Sequence, residues 1–344
     1  MIDLRSDTVT LPTPAMREAM YRAEVGDDVY GEDPTVNRLE AMAAERLGQE
    51  AGLLLVSGTM ANLVALLTHC GRGDEVILGA AAHIFLFEAG GSAALGGIHH
   101  ATIPNQPDGT LLLQDIEAAI RGDNIHYPRT KLVCLENTHN RCGGAVLSAE
   151  YTDAVCAMAH GRGIKVHIDG ARIFNAAVAL GVDPADLSRN ADSIGFCLSK
   201  GLSAPVGSVL CGSKAFIQEA RRWRKAVGGG MRQAGILAAA GIVALDEMID
   251  RMAEDHENAR LLAEGIARVP GLSVDLESIQ TDIVIFEVDP KRMSAAELAQ
   301  ALLDRSVQVG AISSSRIRAV THYGIERADV EAALSAIQGA MEGS

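Results

Sequence analysis

The sequence has 344 residues, 48% of them hydrophobic and 22% charged, with a formal net charge of −14. That length exceeds the size at which a single core stops growing, so a large domain with a smaller companion is expected, and the apolar content excludes a disordered chain. The acidic balance excludes a broad nucleic-acid surface, so an anionic ligand has to be met by a local cluster of cations.

Residues 1–5 (M-I-D-L-R) carry no apolar leader segment, and no run approaches about eighteen consecutive apolar residues, so neither a secretory signal nor a membrane span is expected. Six cysteines (Cys70, Cys134, Cys142, Cys156, Cys197, Cys211) are scattered without a C-x-x-C pair or interleaved histidines. Four of them lie in apolar runs, where a free thiol packs as a small hydrophobe. The expectation is a cytoplasmic, metal-free chain of enzyme size with no membrane partner.

From about residue 50 to 212, short apolar runs at 53–56, 75–78, 132–135, 166–168, 194–198 and 209–211 predict strands. Helix-period stretches at 60–70, 113–121 and 149–162 lie between them. Strands alternating with helices predict an α/β fold, with a mostly parallel sheet covered on both faces. Residues 213–268 read as long helices broken at Gly228-Gly229-Gly230. Beyond Pro270-Gly271 the order is strand 282–288, helix 295–305, strands 307–312 and 317–321, and a final helix 327–341. We therefore divide the chain into a large domain, 1–245, and a smaller C-terminal α/β domain, 246–344. Segment 1–20 is expected near the small domain and the active site.

Among six lysines, Lys200 alone directly follows a strand-like run, and ligands of open α/β sheets bind outside the carboxyl ends of strands. A partly desolvated amine there can attack an aldehyde; the alternative is a solvated lysine opening a loop. Asp169 ends another run, in His167-Ile168-Asp169-Gly170, and suits a protonated pyridine nitrogen or a simple helix cap. Arg172 follows it with a planar fork for a carboxylate. Upstream, Ser57-Gly58-Thr59 passes from strand to helix and reads as a phosphate cup or as a plain N-cap. In this order, cup, strand-end acid and strand-end lysine point to a pyridoxal 5′-phosphate site and to chemistry at the α-carbon of an amino acid.

The motifs D-L-R-S-D-T-V-T (3–10), V-G-D-D-V-Y-G-E-D-P-T (25–35), S-G-T-M-A-N (57–62) and L-E-N-T-H-N-R (135–141) carry a resemblance. It continues through H-I-D-G-A-R (167–172), S-K-G-L-S-A-P-V-G-S (199–208), G-G-G-M-R-Q-A-G (228–235) and R-A-V-T-H (318–322). The chain resembles the L-threonine aldolases, fold-type I pyridoxal-phosphate enzymes often described as low-specificity. One departure is Ser203, where the family pattern has glycine.

The resemblance implies that Lys200 carries the cofactor covalently, Asp169 pairs with its pyridine nitrogen, and Ser57, Gly58 and Thr59 hold its phosphate. It implies that His83 stacks on the ring, although a histidine in an apolar segment also fits a core position. Ser6, Arg172 and Arg318 would hold the substrate carboxylate (Arg316 is a near competitor for the last). Tyr30, Phe87 and His126 would line the side-chain pocket, while Lys225 and Arg232 would reach a phosphate across a dimer interface. A homo-oligomer, a dimer of dimers, is implied with them. The activity implied is retro-aldol cleavage of L-threonine, L-allo-threonine and related β-hydroxy amino acids to glycine and an aldehyde. His83 and His126 are both candidates for the base, since an unperturbed imidazole pKa of about 6.5 leaves it mostly neutral at pH 7. The alternatives are another fold-type I lyase (a β-eliminating enzyme or a phenylserine aldolase), an aminotransferase, or a non-catalytic binding protein.

Overall fold

A computed structural model describes residues 1–342. The main sheet has seven strands: β1 (Ala51–Leu55), β2 (Asp74–Gly79), β3 (His99–Ile103), β4 (Arg129–Glu136), β5 (Lys165–Asp169), β6 (Ser193–Cys197) and β7 (Ser208–Gly212). Their order is β1-β7-β6-β5-β4-β2-β3. Only β7 runs against its neighbours β1 and β6, and every other pairing is parallel. Strands β4 to β7 are buried for most or all of their length, which is why each reads as a continuous apolar run. Strand β3 was not expected. It is an edge strand, H-H-A-T-I, of which only Ile103 is buried, and such an edge needs no apolar run.

Helix Gly58–His69 buries Ala61, Val64, Ala65, Leu66 and Leu67, and it starts where the Ser57 hydroxyl accepts the Met60 N–H at 3.2 Å. The glycine run at 228–230 separates helix Lys214–Ala226 from helix Gly235–Glu247, as its composition predicts. A second sheet, wholly antiparallel, aligns Gly310–Ala311, Arg316–Val320, Ile283–Val288 and Leu272–Ser273. It covers a separate core that includes Leu262, Val284, Phe286, Leu298, Ile317 and Ile337. The stretch predicted as a single strand at 307–312 is divided. Val307–Gln308 pairs in parallel with Ile2–Asp3, and Gly310–Ala311 joins the second sheet. Leu4 joins that core too, so the N-terminal segment leaves it and carries residues 5–10 to the ends of β5 and β6.

Candidate active site

Register places the chemistry. Glu136 at the end of β4 lies opposite Asp169 at the end of β5, and Asp169 lies opposite Gly195 on β6. Gly170 allows this crowding, because a Cβ there would sit 3.0 Å from the Gly195 carbonyl oxygen. Beyond β6 the chain turns through Lys200, whose carbonyl accepts the Ser203 N–H at 2.8 Å and the Thr10 hydroxyl at 3.1 Å. Ser203, where glycine was expected, adopts φ +60° in that turn. It is fully buried, and its hydroxyl has no hydrogen-bond partner.

Of the residues singled out above, Ser6, His83, Asp169, Arg172, Lys200 and Arg318 line one cavity of about 130 Å³. A wider cavity of about 410 Å³ shares His83 and Arg318 with it and adds Phe87, Arg141, Ile285 and Ile312. The cup stands beside the lysine loop: a Cβ on Gly58 would come within 2.8 Å of Cys197 Sγ, three residues before Lys200. Helix geometry leaves the first-turn N–H groups of Gly58 and Thr59 without intrahelical acceptors, in reach of an anion.

Two of these residues are committed differently from the sequence reading. Arg172 Nε and Nη2 hold Asp7 Oδ2 and Oδ1 at 2.7 and 2.6 Å, and both partners are buried. That guanidinium holds the Asp7 carboxyl down at about 2 against burial, which pushes the other way. The fork expected to meet a carboxylate is therefore occupied by one, leaving Nη1. Arg318 gives Nη1 to Asn140 Oδ1 at 2.7 Å and Nη2 to the Arg5 carbonyl at 3.2 Å, while its buried Nε has no partner. Burial and the neighbouring Arg172 lower its pKa.

His126 is not brought to this cavity. It precedes β4, whose far end carries Glu136, and eight parallel-strand residues at about 3.3 Å each put it roughly 25 Å from the site. On this chain it is exposed, with its backbone N–H on Asn124 Oδ1. Tyr30, Lys225 and Arg232 are also outside the cavity lining. Arg232 pairs with Asp27 at 2.9 Å and its carbonyl accepts the Asp28 N–H, beside Tyr30, which is 74% exposed; Lys225 is exposed as well.

Three side chains that sequence reading did not assign complete the site. His83 Nδ1 lies 2.8 Å from Glu88 Oε1, and its backbone N–H donates to Glu136 Oε2 at 2.7 Å. The bond to Glu88 raises the His83 pKa, with Asp169 adding to the effect against desolvation. Glu88 is itself raised by burial, which outweighs the pull of His83 on it. Asn62 Nδ2 donates to both Glu88 Oε1 at 2.7 Å and Asp169 Oδ2 at 2.9 Å. The other Asp169 oxygen accepts the Ala171 N–H at 3.2 Å, so the carboxylate does serve as a local cap. Asn62 was within a quoted motif, and Glu88 is a lone acid after an apolar turn, which is the available signal for a buried carboxylate.

An amine, a carboxylate and an imidazole facing one small cavity, beside a helix N-terminus and an arginine with a buried unpaired Nε, fit an anionic aldehyde cofactor with a basic ring nitrogen. Comparison with known proteins agrees with that fit. A model of the beta-eliminating lyase family matches residues 3–289. The chain is 50% identical to low-specificity L-threonine aldolase 1 of Arabidopsis thaliana, over 99% of this chain and 96% of that one. It is 50% identical to the low specificity L-threonine aldolase of Escherichia coli strain K12, over 95% of each. A solved Leishmania major threonine aldolase superposes with a TM-score of 0.84 at 20% identity, covering 99% of this chain and 100% of that one, a likeness of fold.

Proposed function

The chain belongs to the beta-eliminating lyase family and, within it, to the low-specificity L-threonine aldolases, and from that premise we propose that it cleaves L-threonine, L-allo-threonine and related L-β-hydroxy-α-amino acids to glycine and an aldehyde. The observation that carries the reading is the convergence of Lys200, Asp169, His83 and two arginines on one cavity at the strand ends. Pyridoxal phosphate, when bound, supplies an aldehyde that condenses with an amine and a protonated ring that takes up the electron pair released when Cα–Cβ breaks.

The roles proposed for this chain's residues follow from what each can reach. Lys200 Nζ would hold the cofactor aldehyde. Asp169 would pair with the pyridine nitrogen, and the Ser57-Gly58-Thr59 turn would hold the phosphate. His83 would cover the ring. Ser6, the free Nη1 of Arg172 and Arg318 orient the substrate carboxylate, so that the α-carbon is fixed at several points. The β-hydroxyl proton passes to His83 Nε2, directly or through a water, while Nδ1 is held by Glu88. His126 can act as the base only if another subunit presents it. Phe87 and the apolar wall of Ile285 and Ile312 meet the side chain. Tyr30, Lys225 and Arg232 serve a neighbour's site, which makes the enzyme a homo-oligomer, a dimer of dimers, with domains divided at 245/246.

Among the described residues no helix is long and apolar enough to cross a membrane. All six cysteines are free, five of them buried, which suits a cytoplasmic setting.

The test is product analysis from L-threonine and L-allo-threonine assayed side by side. Equimolar glycine and acetaldehyde are expected from both. A 2-oxo acid with ammonia would instead identify an eliminating lyase, and D-threonine cleavage would contradict the carboxylate assignment.

A further inference from the structure

Behind Asp169, away from the cavity, a line of buried polar side chains runs toward the surface. Asn62 Oδ1 lies 3.1 Å from His167 Nε2. His167 Nδ1 lies 2.9 Å from Ser193 Oγ, which lies 2.8 Å from His69 Nε2. His167 and Ser193 are fully buried. His69, stacked on Phe216 at 4.5 Å between centroids, is partly exposed.

The direction of every bond in this line can be deduced. Asn62 faces two carboxylates, so its Nδ2 must point at them; the flipped amide would set Oδ1 against two acceptors. Oδ1 then accepts, and His167 Nε2 must carry the hydrogen. In a neutral ring that makes His167 Nδ1 an acceptor, which the Ser193 hydroxyl satisfies. The serine oxygen in turn accepts from His69 Nε2. Burial holds His167 at about 4 and His69 at about 3, so both stay neutral at physiological pH and the direction does not reverse.

We propose that His69, Ser193, His167 and Asn62 form a one-way hydrogen-bond relay ending on Asp169, with Asn62 and His167 as positioning residues that hold this carboxylate oriented toward the cofactor's ring nitrogen. The physical need is visible at the far end. Asp169 and Glu88 are buried carboxylates whose oxygens lie within 4.8 Å of each other and of a His83 nitrogen. Two such acids repel each other unless each is given a donor. The Asn62 amide has two hydrogens and gives one to each acid. If His167 did not hold Oδ1, the two acids alone would orient the amide, and its hold on Asp169 would loosen. A loosely held Asp169 would face the pyridine nitrogen less well and stabilise its proton less.

The inference rests on the assignment of Asp169 to that nitrogen, and the experiment separates the two. Holoenzymes of wild type, Asn62→Leu, His167→Leu, His167→Gln and Asp169→Asn are compared by the visible absorption of the bound cofactor across pH, and by kcat and KM for L-threonine. His167→Leu and Asn62→Leu are expected to move the spectral midpoint by about one pH unit, a tenfold change in the protonation constant. kcat should fall about tenfold or more, with KM within about threefold. His167→Gln, whose amide N–H can replace the imidazole Nε2–H, should restore most of both. Ser193→Ala cuts the relay one bond further out and substitutes for His167→Leu if that variant does not fold, with the same expected direction. Midpoints equal to wild type in the Asn62 and His167 variants, with Asp169→Asn shifted, would overturn the relay alone. An unshifted Asp169→Asn would overturn the assignment of Asp169 as well.

Discussion

Replacing Ser203 by glycine should stabilise the protein. The residue sits at φ +60°, where a side chain costs about 1–2 kcal/mol, and its buried hydroxyl lacks a partner, a further cost of about 1–3 kcal/mol. Glycine relieves both, but returns about 0.5–1 kcal/mol as backbone entropy and about 0.8 kcal/mol as lost Cβ burial. The net gain is about 2 kcal/mol. An unfolding entropy of about 2.1 cal/mol/K per residue over 344 residues converts this to a rise in Tm of about 3 °C. Ser203→Ala removes the hydroxyl and keeps the strain, and it should stabilise by a similar amount, because relief of φ and the costs of glycine nearly cancel. The assay is thermal unfolding of the apoproteins, which removes cofactor binding from the comparison. If neither variant rises, the hydroxyl is not an uncompensated group; a fall with glycine alone refutes the strain argument.

Lys200→Ala should lose the covalent cofactor link, checked by borohydride reduction and peptide mapping; label on another lysine in wild type would refute the assignment. Asp169→Ala should retain some cofactor yet lose about 100-fold or more in kcat, measured at saturating cofactor, since the electron sink is weakened more than the phosphate anchor. Glu88→Gln should bring His83 back toward its ordinary pKa, read by NMR titration of the apoprotein ring. His83 is raised in the folded state by Glu88, so this interaction stabilises below the unfolded value of about 6.5 and is lost as pH rises through the folded value. The stability gap between wild type and Glu88→Gln should accordingly narrow with rising pH. Mixing Lys200→Ala with Arg232→Ala subunits should partly restore activity at limiting cofactor if sites are shared, because one site of each hybrid dimer escapes both defects; confirmed hybrids without recovery would rule sharing out.

The sequence by itself determined the parts of this protein that depend on local chemistry. A buried parallel strand such as Leu132–Leu135 reads as an apolar run, and an acid or a lysine at the end of such a run, as at Asp169 and Lys200, stands out. The Ser57 cap and the break at Gly228-Gly229-Gly230 follow from the backbone needs of a helix start and stop. Strand β3 was not legible because only one of its five residues is buried, too little to require an apolar run. Pairing across the chain was not legible either. Only the tertiary structure set Asp7 against Arg172, 165 residues apart, and thereby occupied a fork that its residue type reserves for any carboxylate. Only the direction of β4 placed His126 at the opposite end of the sheet from Glu136. Asn62 shows the difference most plainly: its side chain is bonded to Glu88, Asp169 and His167, and those distances exist only once helix Gly58–His69, strand β5 and the bend at Glu88 have packed. Residue type fixes which bonds a group can make, while the fold fixes which partner is within 3 Å.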